Sequence, residues 1–324
     1  MVKIDKTNPN MICPKCNSTK HIIRSGTRNT QQGPKQQYYC KSCKKYFRDT
    51  KLPSQHYPPT IILNAISTYN IGNNIKQTNN IINRRFRTRI PKSTIHSWIK
   101  RYSEICTFTA KLRKKYKLDP KKLIKSKKFH HQQVYEFKYH TLKTNIAGKT
   151  FPSLRNYMIS LPDKCPSKPF QYGPRCSSLK IDIKPRRTTK HNNAPMLAEL
   201  AQTLAITNRE RHQKVEDFFL INDTATISTE VPVYLYENEL TKQEQTRYGL
   251  DLQEPLSGHI DILQQRFEKI HILDYKPNAN RNDKATIDQL FLYSLALSKR
   301  INLPLRKIIF AYFDDKNYFQ FKPV

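Results

Sequence analysis

Two short apolar runs near the C-terminus each carry one aspartate, and this feature constrains the fold more than any other. Asp261 lies in the run 258–263 between two isoleucines, and Asp274 lies in the run 270–275. Short apolar runs bounded by polar residues predict buried β-strands. Burying a carboxylate costs several kcal/mol unless it has a partner. A divalent cation is the usual partner of two carboxylates at once, so the sequence predicts a cation between two buried strands.

The residues after Asp274 add a lysine and a helical pair to this pattern. Side chains two apart on a strand share a face, so Asp274 and Lys276 project together. Gln289 and Tyr293 are four residues apart, which places them on one face of a helix. A simple ion pair between Asp274 and Lys276 is the alternative for the first pair, and a structural role is the alternative for the second.

This set of residues resembles the RecB-like branch of the PD-(D/E)xK nuclease superfamily. The family pattern is a histidine on a helix, an aspartate after a glycine turn, Asp/Glu-x-Lys, and then Gln-x-x-x-Tyr. Asp261 matches the second element, Asp274 and Lys276 match the third, and Gln289 and Tyr293 match the fourth. The motifs fall in order within residues 205–295, inside a resemblance that covers about residues 195–324.

The first element of the family pattern matches His212, which precedes a predicted strand at 229–235. An ordinary surface histidine is the alternative, and Glu216, one helical turn later, would then take its role. The resemblance implies hydrolysis of DNA phosphodiester bonds with Mg²⁺ or Mn²⁺. An imidazole ligand favours Mn²⁺ as well as Mg²⁺ because imidazole suits softer ions.

The resemblance also implies a role for each matched residue. The implied metal ligands are His212, Asp261, Asp274 and the backbone carbonyl of Tyr275. Lys276 would orient or deprotonate the attacking water and offset charge on the phosphate. Gln289 and Tyr293 would contact the DNA backbone or support Lys276.

The net charge of +33 is concentrated in the first part of the chain. Residues 1–190 hold 42 lysines and arginines against 7 acids, whereas residues 191–324 hold 16 against 18. Such a field is typical of proteins that bind nucleic acid, so DNA is the expected partner. No apolar run is long enough to span a membrane, and the N-terminus lacks the apolar core of a signal peptide. We therefore expect an intracellular protein of the cytoplasm or nucleoid, with no membrane partner.

Two Cys-x-x-Cys pairs lie near the N-terminus, Cys13 with Cys16 and Cys40 with Cys43. Each tight turn presents two thiolates to one tetrahedral ion, so the pairs predict a structural Zn²⁺ site. A segment this small has little core, and the metal would supply its folding energy. A disulfide or a chance pairing is the alternative. The segment resembles the N-terminal zinc ribbon of insertion-sequence transposases, which implies that it also contacts DNA.

Helices are predicted after the ribbon. Pro59 is suited to the first turn of a helix, and the polar segment 70–74 ends that helix. Ser93 is the predicted N-cap of a later helix, whose apolar stripe includes Trp98. The pattern resembles the helix-turn-helix behind the zinc ribbon of transposases, whose last helix enters the major groove. A three-helix packing module with a basic surface is the alternative.

The helix-turn-helix resemblance implies two sets of DNA contacts. Side chains near the start of the last helix would face base edges, and these are Lys92, Thr94, His96 and Ser97, with Lys100 a further DNA-binding candidate on the same helix. Arginines just before that helix would hold phosphates, and these are Arg84, Arg85, Arg87 and Arg89.

Residues 111–130 are rich in lysine, which predicts a basic linker or DNA-tracking arm, with a solvated helix face as the alternative. Residues 130–145 are predicted to form a helix that contains Glu136. The other cysteines fit free buried thiols or a further metal site, and they are Cys106, Cys165 and Cys176. Some RecB-like nucleases hold an iron–sulfur cluster on cysteines after the Gln-x-x-x-Tyr helix. Because no cysteine follows Cys176, we expect no iron–sulfur cluster.

The predicted architecture is therefore a multidomain α+β protein. It comprises a zinc ribbon (1–52), a helix-turn-helix domain (53–110), a basic linker (111–130) and an α/β restriction-endonuclease-like nuclease domain (131–324). The RNase H-like catalytic core of transposases is not evident. The predicted function is a DNA-targeted, metal-dependent nuclease, of mobile-element or viral origin. The alternatives are a sequence-specific DNA-binding regulator with an inactive nuclease fold and an RNA-processing nuclease, while a homodimer and further protein partners stay open.

Overall fold

The computed structural model describes residues 13, 21–30, 33–48, 57–188 and 192–323. These residues combine helices with two β-sheets, so the predicted mixed α+β class is confirmed. The chain divides into two compact units, Met1–Pro59 and Thr60–Val324. None of the helices in the described ranges is both long and apolar enough to span a membrane.

The first unit contains a three-stranded antiparallel sheet. Its strands are β1 (Ile22–Thr30), β2 (Gly33–Cys40) and β3 (Lys45–Arg48). Tyr38 on β2 pairs with Phe47 on β3, and their rings stack with centroids 5.6 Å apart. The buried apolar cluster of the described part of this unit otherwise consists of Ile22 and cysteines. So small a core gives little stability without a metal.

The second unit begins with three helices, α1 (Pro59–Asn70), α2 (Ile75–Phe86) and α3 (Lys92–Arg101). Asn74 caps α2 in a capping box with Gln77. The turn between α2 and α3 is closed by Asn83, whose side-chain oxygen accepts from the Ile90 N–H at 2.7 Å. Helix α3 begins at Lys92 with Pro91 as its N-cap residue, so the prediction of Ser93 as N-cap is wrong. Pro91 has the extended backbone conformation of an N-cap residue, and its side chain forms no capping hydrogen bond.

The large sheet has eight strands in the order β4-β5-β7-β8-β9-β10-β11-β6. Its strands are β4 (Ile124–His131), β5 (Gln133–His140), β6 (Arg186–Thr188), β7 (Thr226–Leu235), β8 (Leu256–Arg266), β9 (Lys269–Tyr275), β10 (Ile308–Phe313) and β11 (Tyr318–Lys322). The helices around it are α4 (Thr141–Ala147), α5 (Pro152–Lys164), α6 (Lys168–Gln171), α7 (Ala194–Gln202), α8 (Asn208–Asn222), α9 (Lys242–Tyr248) and α10 (Lys284–Arg300). The only parallel pairing between these named strands joins β9 to β10, with α10 as the crossover.

The segment 124–140 forms a β-hairpin that the sequence analysis did not anticipate. The helix predicted at 130–145 is wrong, because Gln133–His140 is strand β5. Its aromatic residues Tyr135, Phe137 and Tyr139 recur every second position, which suits a strand with one buried face. Strand β4 lies at the edge of the sheet within the segment predicted as a basic linker. Its exposed lysines discourage edge-to-edge pairing with other chains.

Candidate metal centre

Asp261 and Asp274 lie on the neighbouring central strands β8 and β9, as the apolar runs predicted. The strands pair antiparallel with Ile262 opposite Leu273, which brings the two aspartates together at the next position. The Tyr275 N–H donates a hydrogen bond of 3.1 Å to Asp261 Oδ2. The Tyr275 backbone therefore lies against Asp261, while the role of its carbonyl as a ligand stays a prediction.

Helix α8 contributes two side chains that lie beside Asp261 of β8. The helix begins after Thr207, whose hydroxyl accepts from the Glu210 N–H. His212 and Glu216 are one turn apart and project together. His212 Nε2 lies 2.9 Å from Asp261 Oδ2, and His212 Nδ1 lies 2.8 Å from Glu216 Oε1. The structure thus places both His212 and the alternative Glu216 in the site.

Glu230 on β7 is a member of the site that the sequence analysis missed. Its φ of +49° is in the left-handed region, an unusual conformation for a non-glycine residue within a strand. Its side chain lies with those of His212 and Glu216 such that one ligand atom from each falls within 4.8 Å of the others. Glu230 follows the polar pair Ser228 and Thr229 and comes directly before the apolar run 231–235, so the sequence pattern does not single it out as it does Asp261.

Lys276 completes the cluster directly after β9. Its ammonium lies 3.0 Å from Asp274 Oδ2. Burial acts against the charge of this lysine, but Asp274 and Asp261 raise its pKa above the ordinary value. Lys276 therefore stays protonated at neutral pH while no cation occupies its neighbours.

The carboxyl groups of the cluster have strongly separated pKa values. Burial, with Asp261 nearby, raises the pKa of Asp274 to about 8. Burial also raises the pKa of Glu216 to about 7 and, with Glu216 and Asp261 nearby, that of Glu230 well above its usual range. Burial opposes ionisation of Asp261 too, but His212 and Lys276 hold its pKa below the ordinary value. So many carboxyl groups in one buried place repel each other unless protons or a cation neutralise them.

Two buried carboxyl oxygens of the cluster lack a well-formed hydrogen bond. Glu216 Oε1 and Asp274 Oδ2 have no hydrogen bond of acceptable geometry from any described residue, although His212 and Lys276 lie within ion-pair distance. Unsatisfied buried carboxylate oxygens are costly. Hard oxygen donors with one imidazole suit Mg²⁺ and especially Mn²⁺, so the residues present fit such an ion.

Gln289 and Tyr293 lie on α10 beside the cluster. Gln289 Nε2 donates a hydrogen bond of 2.9 Å to the Tyr293 hydroxyl. The Tyr293 ring lies against Gly258 on β8, where a Cβ atom would come within 2.2 Å of a ring carbon. Glycine at this position therefore allows α10 to approach the strand that carries Asp261. The contacts among these residues account for a structural role, and contact with DNA stays a prediction.

The cysteine cluster of the first unit could hold a metal such as zinc. Cys13, Cys40 and Cys43 bring their sulfur atoms within 4.8 Å of one another, and Cys13 Sγ lies 3.6 Å from Cys43 Sγ. Zn–S bonds of about 2.3 Å in a tetrahedron place sulfurs about 3.8 Å apart. No disulfide joins these three described cysteines to one another. Cys16, the fourth predicted ligand, lies outside the described residues.

The predicted DNA contacts lie on the surface of α2, α3 and the turn between them. The buried side of α3 contains Ile95, Trp98 and Ile99, as predicted from the apolar stripe. The exposed predicted contacts are Arg84, Arg85, Arg87, Arg89, Lys92, His96, Ser97 and Lys100, and Thr94 is half-buried. The positions are open to a ligand, and their binding to DNA stays a prediction.

The remaining cysteines are free thiols, and Cys106 and Cys176 are buried. Burial raises the pKa of each of Cys106, Cys165 and Cys176 to about 12, which keeps these thiols protonated at neutral pH.

Comparison of the chain with protein-family models, with curated proteins and with solved structures finds no match.

Proposed function

We propose that this chain is a nuclease that hydrolyses phosphodiester bonds in DNA with the help of Mg²⁺ or Mn²⁺. The observation that carries the proposal is the meeting of one imidazole, four carboxyl groups and one ammonium in a single partly buried cluster. Its members are His212, Glu216, Glu230, Asp261, Asp274 and Lys276. Ion-pair networks that only stabilise a fold seldom bury four carboxyl groups beside two cationic partners.

Five of these six side chains have a role in this proposal. Asp261 and Asp274 would hold the cation from adjacent strands, with His212 and Glu216 contributing from α8. A bound cation supplies charge neutralisation at the phosphate and lowers the pKa of a water molecule. Lys276 projects on the same face as Asp274, where its ammonium can orient the attacking water and stabilise the charge that develops on the phosphate.

The basic first part of the chain supports DNA as the substrate. Residues 1–190 carry the excess of positive charge, and the predicted DNA contacts of α2 and α3 are exposed except for Thr94, which is half-buried. We infer that the zinc ribbon and the helix-turn-helix bind duplex DNA and direct the PD-(D/E)xK nuclease core to it. An α-helix fits the major groove of B-form DNA and not the narrow major groove of A-form RNA.

Incubation with circular and linear duplex DNA, single-stranded DNA and RNA tests this function. The proposal predicts DNA cleavage with Mg²⁺ or Mn²⁺ and none with a chelator. Nicking or linearisation of circles identifies an endonuclease. Cleavage of RNA alone supports an RNA-processing nuclease instead, and DNA binding without cleavage of any substrate supports a regulator with an inactive nuclease fold.

The DNA-binding half of the proposal has its own test. Replacing Arg87 and Arg89 with glutamine should weaken DNA binding for all sequences and lower the salt dependence of the affinity by about one unit per lost phosphate contact. Exposed Lys149, two residues after the end of α4, offers a charge control. Equal losses for Lys149→Gln and the arginine variants would contradict a specific DNA contact at α2 and α3.

A further inference from the structure

A half-buried arginine lies near the metal centre, in a segment to which the sequence analysis gave no role. Arg175 lies between α6 and β8, and its guanidinium carbon lies 5.6 Å from the centroid of the Tyr135 ring. The Tyr135 ring in turn stacks on His259, with centroids 3.7 Å apart and planes within 6°. The three side chains form a continuous stack of one cation and two aromatic rings, which we call the Arg175 stack.

The Arg175 stack adjoins the carboxyl cluster. His259 and Asp261 are two residues apart on β8, so they share a face and lie roughly 7 Å apart along the strand. The charges of Glu230 and Asp261 both act on the Tyr135 hydroxyl and raise its pKa, after the larger effect of burial, whereas Arg175 lowers it. The Arg175 stack therefore lies next to the cluster on the same face of β8.

The backbone of Arg175 is held firmly in place. Gly173 approaches β8 so closely that a Cβ atom there would lie 1.7 Å from the Pro255 carbonyl oxygen. The Ser257 N–H donates to the Pro174 carbonyl at 3.1 Å, and Arg175 forms a parallel bridge with Ser257. The Ser178 hydroxyl and N–H both donate to the Arg175 carbonyl. The close approach of Gly173 to β8 therefore fixes the backbone position from which the Arg175 side chain extends.

The guanidinium has no acidic partner within ion-pair distance among the described residues. A half-buried guanidinium is costly without an anion to receive its N–H groups, and its planar fork matches the oxygens of a phosphate. A polyanionic substrate also needs positive charge beside the cluster, because the four carboxyl groups repel it.

We propose that Arg175 binds a backbone phosphate of the nucleic-acid substrate next to the cleaved bond, with Tyr135 and His259 positioning its guanidinium. The ligand is a phosphodiester group one or more nucleotides from the reacting phosphate. This inference rests on the proposed nuclease function, and it adds the residue that sets where the strand lies across the site.

The test combines an arginine substitution with a neutral phosphate. A series of oligonucleotides carries one methylphosphonate each, at successive positions around the cleaved bond, and kcat/KM is measured for the full-length protein. Arg175→Met should lower kcat/KM on unmodified DNA about 10- to 100-fold, the effect of losing one charged hydrogen bond. At one position the methylphosphonate should slow the wild type by a similar factor yet barely slow Arg175→Met, since the two changes remove the same contact.

Arg187→Met is the matched control. Arg187 is also half-buried and lies over an aromatic ring, 5.0 Å from the Phe319 centroid, but on β6 at the opposite edge of the sheet. This variant should keep the wild-type kcat/KM and the full methylphosphonate effect. Arg175→Lys serves if Arg175→Met unfolds, because it keeps the charge and loses only the planar fork, and an intermediate loss is expected.

Two further outcomes are decisive. If the wild type and Arg187→Met cleave DNA and every methylphosphonate slows Arg175→Met as much as the wild type, Arg175 binds no phosphate and this inference fails alone. If none of the proteins cleaves any substrate with Mg²⁺ or Mn²⁺, the proposed function fails and takes this inference with it.

Discussion

His212 Nε2 lies 2.9 Å from Asp261 Oδ2, and this contact joins helix α8 to strand β8 at the centre of the cluster. Asp261 is the main cause that raises the pKa of His212 to about 12, with burial acting in the opposite direction. The imidazole therefore carries a proton at neutral pH, although a metal ligand must be deprotonated.

Binding of Mn²⁺ should consequently release protons. We expect at least about one proton to be released per bound ion at pH 7. The raised pKa values of His212 and Asp274 mean that both groups hold a proton at this pH before the metal binds. Calorimetric titration in two buffers of different ionisation enthalpy measures the number. Asp274→Asn, which removes one of these protons, should release fewer, and a binding heat independent of the buffer would contradict the assignment.

A second prediction concerns the buried amides that join α1 to the helix carrying His212. Asn70 and Asn222 are fully buried, and Asn70 Nδ2 donates to Asn222 Oδ1 at 2.9 Å. Asn70→Ala leaves buried partners without a hydrogen bond and should lower the free energy of unfolding by about 1–3 kcal/mol. Asn64→Ala on the same helix should cost less, since Asn64 is only half-buried. Urea unfolding compares them, and equal midpoints for the two variants would contradict the prediction.

A third prediction concerns pH and the buried Lys143. Its Nζ atom donates to the Leu220 carbonyl at 2.5 Å and to the Asp223 carbonyl at 2.7 Å at the end of α8. Burial lowers the pKa of Lys143 from 10.5 to about 7. Between these values the unfolded chain binds a proton that the folded chain does not. The contribution of Lys143 to stability therefore rises with pH in this window, by up to about 1.4 kcal/mol per pH unit.

The Lys143 effect is measured as a difference, because His212 acts with the opposite sign. The raised pKa of His212 gives stability that is complete below its ordinary value of 6.5 and is lost as pH rises toward about 12. Subtracting the unfolding free energies of Lys143→Met from those of the wild type at pH 7, 8 and 9 removes that contribution. The free energy of unfolding of the wild type minus that of Lys143→Met should increase as pH rises. A difference that stays constant with pH would show that Lys143 keeps an ordinary pKa.

A fourth prediction concerns the cysteine cluster of the first unit. Purified protein should contain about one Zn²⁺ per chain. Cys40→Ser should remove the metal and unfold the first unit while leaving the second unit folded, because the small sheet has few buried apolar side chains. Cys106→Ser, in the second unit, should keep the zinc. Metal analysis with hydrogen exchange of each unit measures both effects, and zinc retained by Cys40→Ser would contradict the assignment.

The sequence predicted the parts of the centre that lie on regular elements. Asp261 and Asp274 interrupt apolar runs, so their burial on strands followed from the apolar residues around them, and the cost of an unpaired carboxylate predicted a partner for each. The apolar stripe of α3 and the break after α1 followed from side-chain periodicity and polar composition. These features depend on residues that are close in sequence, so a single sequence is enough to predict them.

The features that the sequence did not predict depend on distant contacts. The hairpin containing Tyr135 was taken for a linker and a helix, because its lysines obscured the alternation of its aromatic residues. Glu230 enters the site through a left-handed backbone conformation that its residue type gives no reason to expect. The segment around Arg175 has little regular structure, and the close approach of Gly173 to Pro255 places it together with the backbone hydrogen bonds to Ser257 and Ser178.

The most direct test of the central claim is DNA cleavage by the wild type beside Asp274→Asn with Mg²⁺ or Mn²⁺. Asp288→Asn is the matched control, because Asp288 is equally buried on α10 but is paired with Lys284 outside the cluster. We predict metal-dependent cleavage by the wild type and by folded Asp288→Asn, and a loss of at least about 100-fold for Asp274→Asn with unchanged DNA binding. Wild-type rates of cleavage in Asp274→Asn would contradict the account.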